Sequence, residues 1–314
     1  MNIEMIEDLR NRKDLLTSEW IIISLGFKNR RAHVFKVKNN NFFQKKIKDE
    51  MKKLSDLGHS TEWLKADFII SEEEVPFSQV LSSMQQTRRN YIDYGIAYDK
   101  HYSLAFLPEE INANAFVRPV PGDRKKNLFV CERNINTYLK KYKAYKGIYF
   151  HKKYMNKSVI RFQTRGYLVE GDKMFELNAG GSMHGIRKIG GHQKKSEYRR
   201  LIQTATQYLK DQIDTDDRYE YGKFPHFDKR IGFYNVLRHT STTYSLLEGL
   251  EFLNDKKGIE WAKLTIDHLL ENFLYTDPED PESAYIFDDT KMKIRCSKIE
   301  RWLIRNTSMK QWIV

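Results

Sequence analysis

The chain has 314 residues and a mass of 37.5 kDa, with 54 Lys and Arg against 42 Asp and Glu and a net charge of +12. At roughly 100 to 200 residues per domain this length suits two domains, and 40% hydrophobic residues with 18 Tyr, 18 Phe and 5 Trp can build cores, which excludes a disordered tail. No long apolar run, no basic-then-apolar leader and only two cysteines, Cys131 and Cys296, exclude a transmembrane helix, a secretory signal and a disulfide or zinc scaffold, so the expected location is the cytoplasm or the inner membrane face.

In chain order, Ile3, Ile6, Leu9 and Leu16 predict a short amphipathic helix over 1–16. Ile21, Ile22 and Ile23 predict a buried strand over 20–25, and alternation over 32–38 a half-buried one. Phe43, Ile47, Met51 and Leu54 repeat at helical spacing over 42–57; Ala66 to Ile70 mark another strand within 63–71. Pro76 opens a helix extending toward Tyr91. Strands are expected over 95–98 and 102–107, a short helix from Pro108 to near Ala115, and a loop at Pro119–Asp123. A basic helix is expected over 134–145, then four strands over 147–150, 159–164, 166–170 and 174–177. Asn178 to Gly185, rich in glycine, reads as an inter-domain turn, dividing a basic domain over 1–185 from a helical one over 191–314. The helical part carries apolar stripes over 197–213, 241–253 and 259–274, with a short strand over 284–289. The expected fold class is α+β: an N-terminal α/β domain with an antiparallel or mixed sheet, then helices.

The charge is unevenly placed. Residues 191–314 hold 20 basic and 20 acidic residues, so the whole +12 belongs to residues 1–190, with 34 against 22. Between Arg124 and Arg161 twelve Lys or Arg face only Glu132, and Tyr138, Tyr142, Tyr145, Tyr149, Phe150 and Tyr154 are interleaved. Basic side chains neutralise phosphates and aromatics stack on bases or sugars, so Lys140, Lys141, Lys143, Lys146, Lys152 and Lys153 are candidate polyanion contacts; the plainer alternative is a solvated helix with its tyrosines facing the core. No phosphate loop, dinucleotide fingerprint, zinc-protease motif or nucleophile elbow is present, no metal site is expected and no cofactor is indicated.

The densest chemistry lies between Arg218 and Glu251, a long aromatic loop running into a helix. Thr240 or Ser241 is the expected N-cap, with Arg238 and His239 at the helix mouth and His226 and Asp228 on a turn near Pro225. Such a set suits a sugar: aromatic faces stack on it and Asp, Asn, Arg and His bond its hydroxyls. Asp228, His239 and Arg238 are the candidate catalytic residues; His226, Tyr234, Asn235, Tyr244 and Glu248 are candidate substrate contacts. The alternative is that Arg238 and His239 bond backbone carbonyls and hold helices together.

The stretch Lys223 to Asp228, followed by Tyr234-Asn235-Val236-Leu237-Arg238-His239-Thr240 and the helix to Leu247, resembles the (α/α) toroid domains of the six-hairpin glycosidase class over residues 195–314. That resemblance implies a Gram-positive cell-surface polymer context, where some proteins carry labels such as poly(glycerol-phosphate) glucosyltransferase. Trp20 to Leu25 and Leu104 to Ile111 are similar to the family named after the AMME-syndrome candidate region, whose Leu-Arg-Gly-Cys motif is missing here. A toroid implies about twelve helices; residues 191–314 supply three and a weak fourth, and composition changes from Lys291 onward, so a truncated or frameshifted ring is expected.

The resulting expectation is a carbohydrate-active or glycosylation-associated protein, of glycosyltransferase or glycoside hydrolase type if it is an enzyme. Its partner would be an anionic polysaccharide or sugar-phosphate polymer such as a poly(glycerol-phosphate) teichoic acid. The alternatives are a nucleic-acid-binding protein and a non-catalytic scaffold that partners a glycosyltransferase or self-associates.

Overall fold

In the computed structural model, residues 3–15, 17–28, 30–87, 92–112, 116–125, 127–143, 147–190, 194–224, 227, 229–280 and 282–286 are described. The chain divides into two compact units: Met1–Lys188 with Phe224–Asp228, and Ile189–Lys223 with Lys229–Val314. Helices and antiparallel strands together make the chain α+β.

The elements of the first unit are α1 (Glu4–Leu9), β1 (Trp20–Gly26), β2 (His33–Lys38), α2 (Phe43–Asp56), β3 (Trp63–Pro76), α3 (Phe77–Gln86), β4 (Gly95–Ala97), β5 (Ala105–Phe106), α4 (Pro108–Glu110), β6 (Val117–Pro119), β7 (Leu128–Val130), α5 (Glu132–Tyr142), β8 (Ser158–Glu170) and β9 (Lys173–Glu176). Seven strands form one sheet in the order β2-β1-β3-β8-β4-β5, with β9 on β8; β6 and β7 pair separately. Every pairing in the sheet is antiparallel, because neighbours run as hairpins or return connections.

Alternation sorts the strands into two faces. Ile21, Ile23 and Leu25 of β1, Leu64, Ala66 and Phe68 of β3, and Tyr167 and Val169 of β8 are buried with Phe43, Ile47 and Leu54 of α2 in one core. A second core gathers Phe77, Val80 and Met84 of α3, Ile135, Tyr138 and Leu139 of α5, and Phe106 and Phe116. The opposite face of the central strands carries Ile22 and Ser24, then Lys65 and Asp67, then Gly166 and Leu168, in the register Ile22↔Asp67↔Gly166 and Ser24↔Lys65↔Leu168.

Two local expectations are corrected. Residues 159–164 and 166–170 are one strand, β8, because Gly166 is a place of close approach rather than a turn: an added Cβ would lie 3.0 Å from Lys65 Cε and 3.1 Å from Asp67 Oδ1. The segment 147–150 is not a strand. The Asn136 side chain takes both Tyr149 backbone groups, accepting from its N–H at 2.7 Å and donating to its carbonyl at 2.9 Å, which are the bonds a neighbouring strand would have supplied. The turn over 178–185 belongs to the first unit, held by Asp93, which accepts from Gly181 N at 2.7 Å. The helix extension toward Tyr91, the end of the helix near Ala115, and everything from residue 287 onward, including the tail from Lys291, lie outside the described residues.

The second unit contains α6 (Lys194–Asp211), α7 (Val236–Leu253) and α8 (Ile259–Phe273), with α7 packed on both others. Its core is small: Tyr219, Leu246, Leu250 and Ala262, bordered by Leu209, Ile213 and Leu247. A short hairpin pairs Leu274–Thr276 with Ala284–Ile286. No helix among the described residues is long and apolar enough to cross a membrane.

Candidate functional site

In the helical unit, α7 begins earlier than expected. Asn235, not Thr240 or Ser241, is the N-cap, its side chain accepting from Arg238 N at 3.1 Å, so Arg238 and His239 lie inside the first turns. His239 is 2% exposed. Its Nε2 meets the Thr265 carbonyl at 2.7 Å and its Nδ1 meets the Tyr234 hydroxyl, which fixes a neutral tautomer with the proton on Nε2. Burial lowers its pKa, against the Thr265 bond and with help from His268. Thr243 and Tyr219 bond Thr265 Oγ1 at 3.1 and 3.3 Å, completing a polar seam between α7 and α8. Both nitrogens of His239 are thus occupied, Nε2 in joining α7 to α8 and Nδ1 in holding Tyr234 ahead of α7. Arg238 is exposed, 5.4 Å over the Tyr221 ring, and Tyr244 and Glu248 are exposed and bonded to each other. The structure brings Tyr234, Asn235 and His239 together at the start of α7; His226 and Asp228 lie outside the described residues.

Along the basic segment, Lys140, Lys141, Lys152 and Lys153 are exposed, and Lys146 lies outside the described residues. Lys143 is committed to the buried Glu110 at 2.8 Å. Tyr138, Tyr149 and Tyr154 are core residues, Tyr149 and Tyr154 stacked at 5.5 Å, and so have no face open to a base.

The most unusual chemistry was not singled out in the sequence. On the polar sheet face Lys65 Nζ lies 3.0 Å from Asp67 Oδ1 and 2.6 Å from Glu109 Oε1. Burial raises the Asp67 carboxyl to about 6, against the pull of Lys65, and Glu109 adds to the rise. Lys65 resists the same burial because Asp67 and Glu109 hold it charged. Glu109 is lowered because Lys65 outweighs burial. The signal was the acidic Asp67 inside the otherwise apolar run Ala66 to Ile70, a local conflict of the kind that marks sites.

Three cavities follow this region. One of 560 Å³ is lined by Ser24, Arg31, Trp63, Lys65, Glu109 and Arg187 among others. A neighbour of 460 Å³ includes His33, Lys36, Lys46, Glu50, Tyr142 and Lys143, and shares Val34 and Glu110 with the first. A third of 170 Å³ shares Glu109 and reaches His184. The carboxylates are pinned. Glu110 takes Tyr138 Oη, Lys143 and the Leu107 N–H, and Arg31 donates to Tyr138 at 2.8 Å. Glu50 takes Lys46 at 2.9 Å and Lys53 at 3.0 Å, and these bonds bring it down to about 2 against burial. The arrangement alternates cations with fixed hydrogen-bond acceptors, which suits a ligand that is both anionic and hydroxylated. No metal-holding cluster occurs among the described residues. No protein-family model, curated protein or solved structure matches the chain.

Proposed function

We propose that this is a carbohydrate-active or glycosylation-associated protein whose first unit holds a stretch of an anionic, hydroxyl-bearing polymer of the poly(glycerol-phosphate) type. One observation carries the reading: adjoining cavities, one on the polar sheet face and one at the β2 edge reaching α2, present Lys36, Lys46, Arg31, Lys65 and Arg187 between the pinned carboxylates Glu50, Glu110 and Glu109. Phosphates pair with the cations, and hydroxyls donate to the carboxylates. The helical unit enters as an arc of an (α/α) ring carrying sugar contacts; α6, α7 and α8 packed in chain order support that part. A nucleic acid has less in its favour, because Tyr138, Tyr149 and Tyr154, three of the tyrosines that would stack on bases, are buried.

The test is equilibrium binding of a poly(glycerol-phosphate) hexamer across a salt series, with an RNA of equal charge as competitor. The expected result is salt-dependent binding that Lys36→Ala with Lys46→Ala weakens about tenfold, with a salt slope smaller by about one per lysine removed. Equal binding by the double variant, or a preference for RNA, overturns the reading.

A further inference from the structure

The 170 Å³ cavity at Glu109 contains a group that nothing described so far uses. His184 is held in a glycine-rich turn with its side chain only 7% exposed. The backbone N–H of Gly180 donates to His184 Nδ1 at 3.1 Å. An N–H can only donate, so Nδ1 is the acceptor and the ring proton sits on Nε2. That Nε2–H is buried and has no hydrogen-bond partner. It lies 3.9 Å from Glu109 Oε1, too far for a hydrogen bond. A buried donor without a partner is destabilising, and His184 is among the residues that line this cavity.

The surroundings hold the pair in place. Asp93 anchors the turn through Gly181 N. Gly185 has φ +74°, and an added Cβ would stand 2.9 Å from Glu109 Oε1, so the backbone there is shaped around the carboxylate. Asn112, which also lines the cavity, ties it to Ile92, accepting from the Ile92 N–H at 2.9 Å and donating to its carbonyl. Lys65 fixes the same Glu109 oxygen, Oε1, at 2.6 Å.

We infer that His184 and Glu109 form a subsite for a single hydroxyl of a neutral polyol or sugar unit, the hydroxyl oxygen accepting from His184 Nε2–H while its proton is donated to Glu109. The inference deepens the polymer reading and rests on it for the identity of the polyol. Other ligand chemistries fit less well. A phosphate or carboxylate oxygen would accept from His184 but stand against the charged Glu109. An ammonium would pair with Glu109 but meet another donor at His184. A hydroxyl is both donor and acceptor. The volume, several times the roughly 30 Å³ share of a liquid water, takes one three-carbon polyol unit. Burial keeps the His184 ring neutral; Glu109 and Asp93 oppose this, and Lys65 reinforces it.

Nitrogen-15 imidazole spectra of the full chain, with the His184 signal assigned from His184→Phe, test the subsite directly. Glycerol should move the Nε2 resonance along a saturating curve, and Glu109→Leu should abolish the movement. In parallel, a poly(glycerol-phosphate) hexamer should bind about tenfold tighter than the poly(1,3-propanediol-phosphate) hexamer, which keeps every phosphate and lacks the central hydroxyl; tenfold is the scale of one hydrogen bond to a charged group. His184→Phe should bring that ratio near one, with Glu109→Leu as the second variant should the first not fold. No saturable shift with glycerol, meaning water alone occupies the cavity, overturns the subsite, as does a hydroxyl preference that survives both variants. If glycerol moves His184 but neither hexamer binds, the polymer reading falls and the subsite stands. If both hexamers bind equally, the polymer reading stands and the subsite falls.

Discussion

Asp67 has the least solvent and the highest-lying carboxyl described in the first unit: it is fully buried, with its carboxyl raised from 3.8 to about 6. Burial drives the rise, Glu109 adds to it, and Lys65 opposes it. The consequence has a definite sign. Between about pH 4 and pH 6 the folded chain holds a proton there that the unfolded chain has lost, so this group's contribution to stability falls as pH rises through 6. Urea midpoints at pH 5 and pH 7.5 should therefore differ less in Asp67→Asn than in the parent. Glu50 acts oppositely: held down to about 2, it contributes stability above its unfolded pKa that is lost as pH falls from about 4.5 toward 2. Gly166→Ala places a methyl group against Lys65 and Asp67 at 3.0 and 3.1 Å. The expected cost is about 1–3 kcal/mol, as for other overpacked sites, measured as a lowered urea midpoint with unchanged m.

At the scale of elements, apolar periodicity located β1, α2, α3 and α5 to within a few residues because each buries one regular face, and it also placed β2, α6 and α8, although α6 buries only Thr206. It failed where a side chain replaced a regular partner or a glycine served packing. Asn136 satisfies Tyr149 without a strand, and Gly166 continues one strand where a break was expected. The start of α7 was misplaced because Asn235, five residues ahead of the first expected cap, does the capping. Asn235→Ala should lower the stability of the second unit by about 1 kcal/mol, read from thermal unfolding followed by near-ultraviolet dichroism. The candidate site was legible only in fragments. Lys65 and Asp67 stand two apart on one strand, but Glu109 comes from α4 and His184 from the turn over 178–185, and no local pattern shows that the fold brings them to one place. The reverse holds for His239, which looked reactive in a run of polar residues and is spent on Thr265 and Tyr234.

At the scale of the molecule, the excess positive charge lies in residues 1–190, which also supply every residue of the three cavities around Lys65, Glu109 and Glu110. The β3–β8 ladder runs from Trp63↔Glu170 to Pro76↔Ser158 through the middle of the sheet, broken only by a bulge between Ile69 and Ser71. Amides in this ladder should be the last of the first unit to exchange with deuterium, since opening them separates both principal cores. The same ladder also sets a problem of timing. When β3 leaves the ribosome, the strand that covers its edge does not yet exist, and residues 77–157 must be made first. At about 5 to 20 residues per second, the edge of β3 stands open for on the order of five to fifteen seconds, with its backbone donors and acceptors unpaired. Each newly made chain is then a template for strand addition. The yield of folded protein should therefore depend on translation speed and on holding chaperones more than the stability of the finished sheet would suggest.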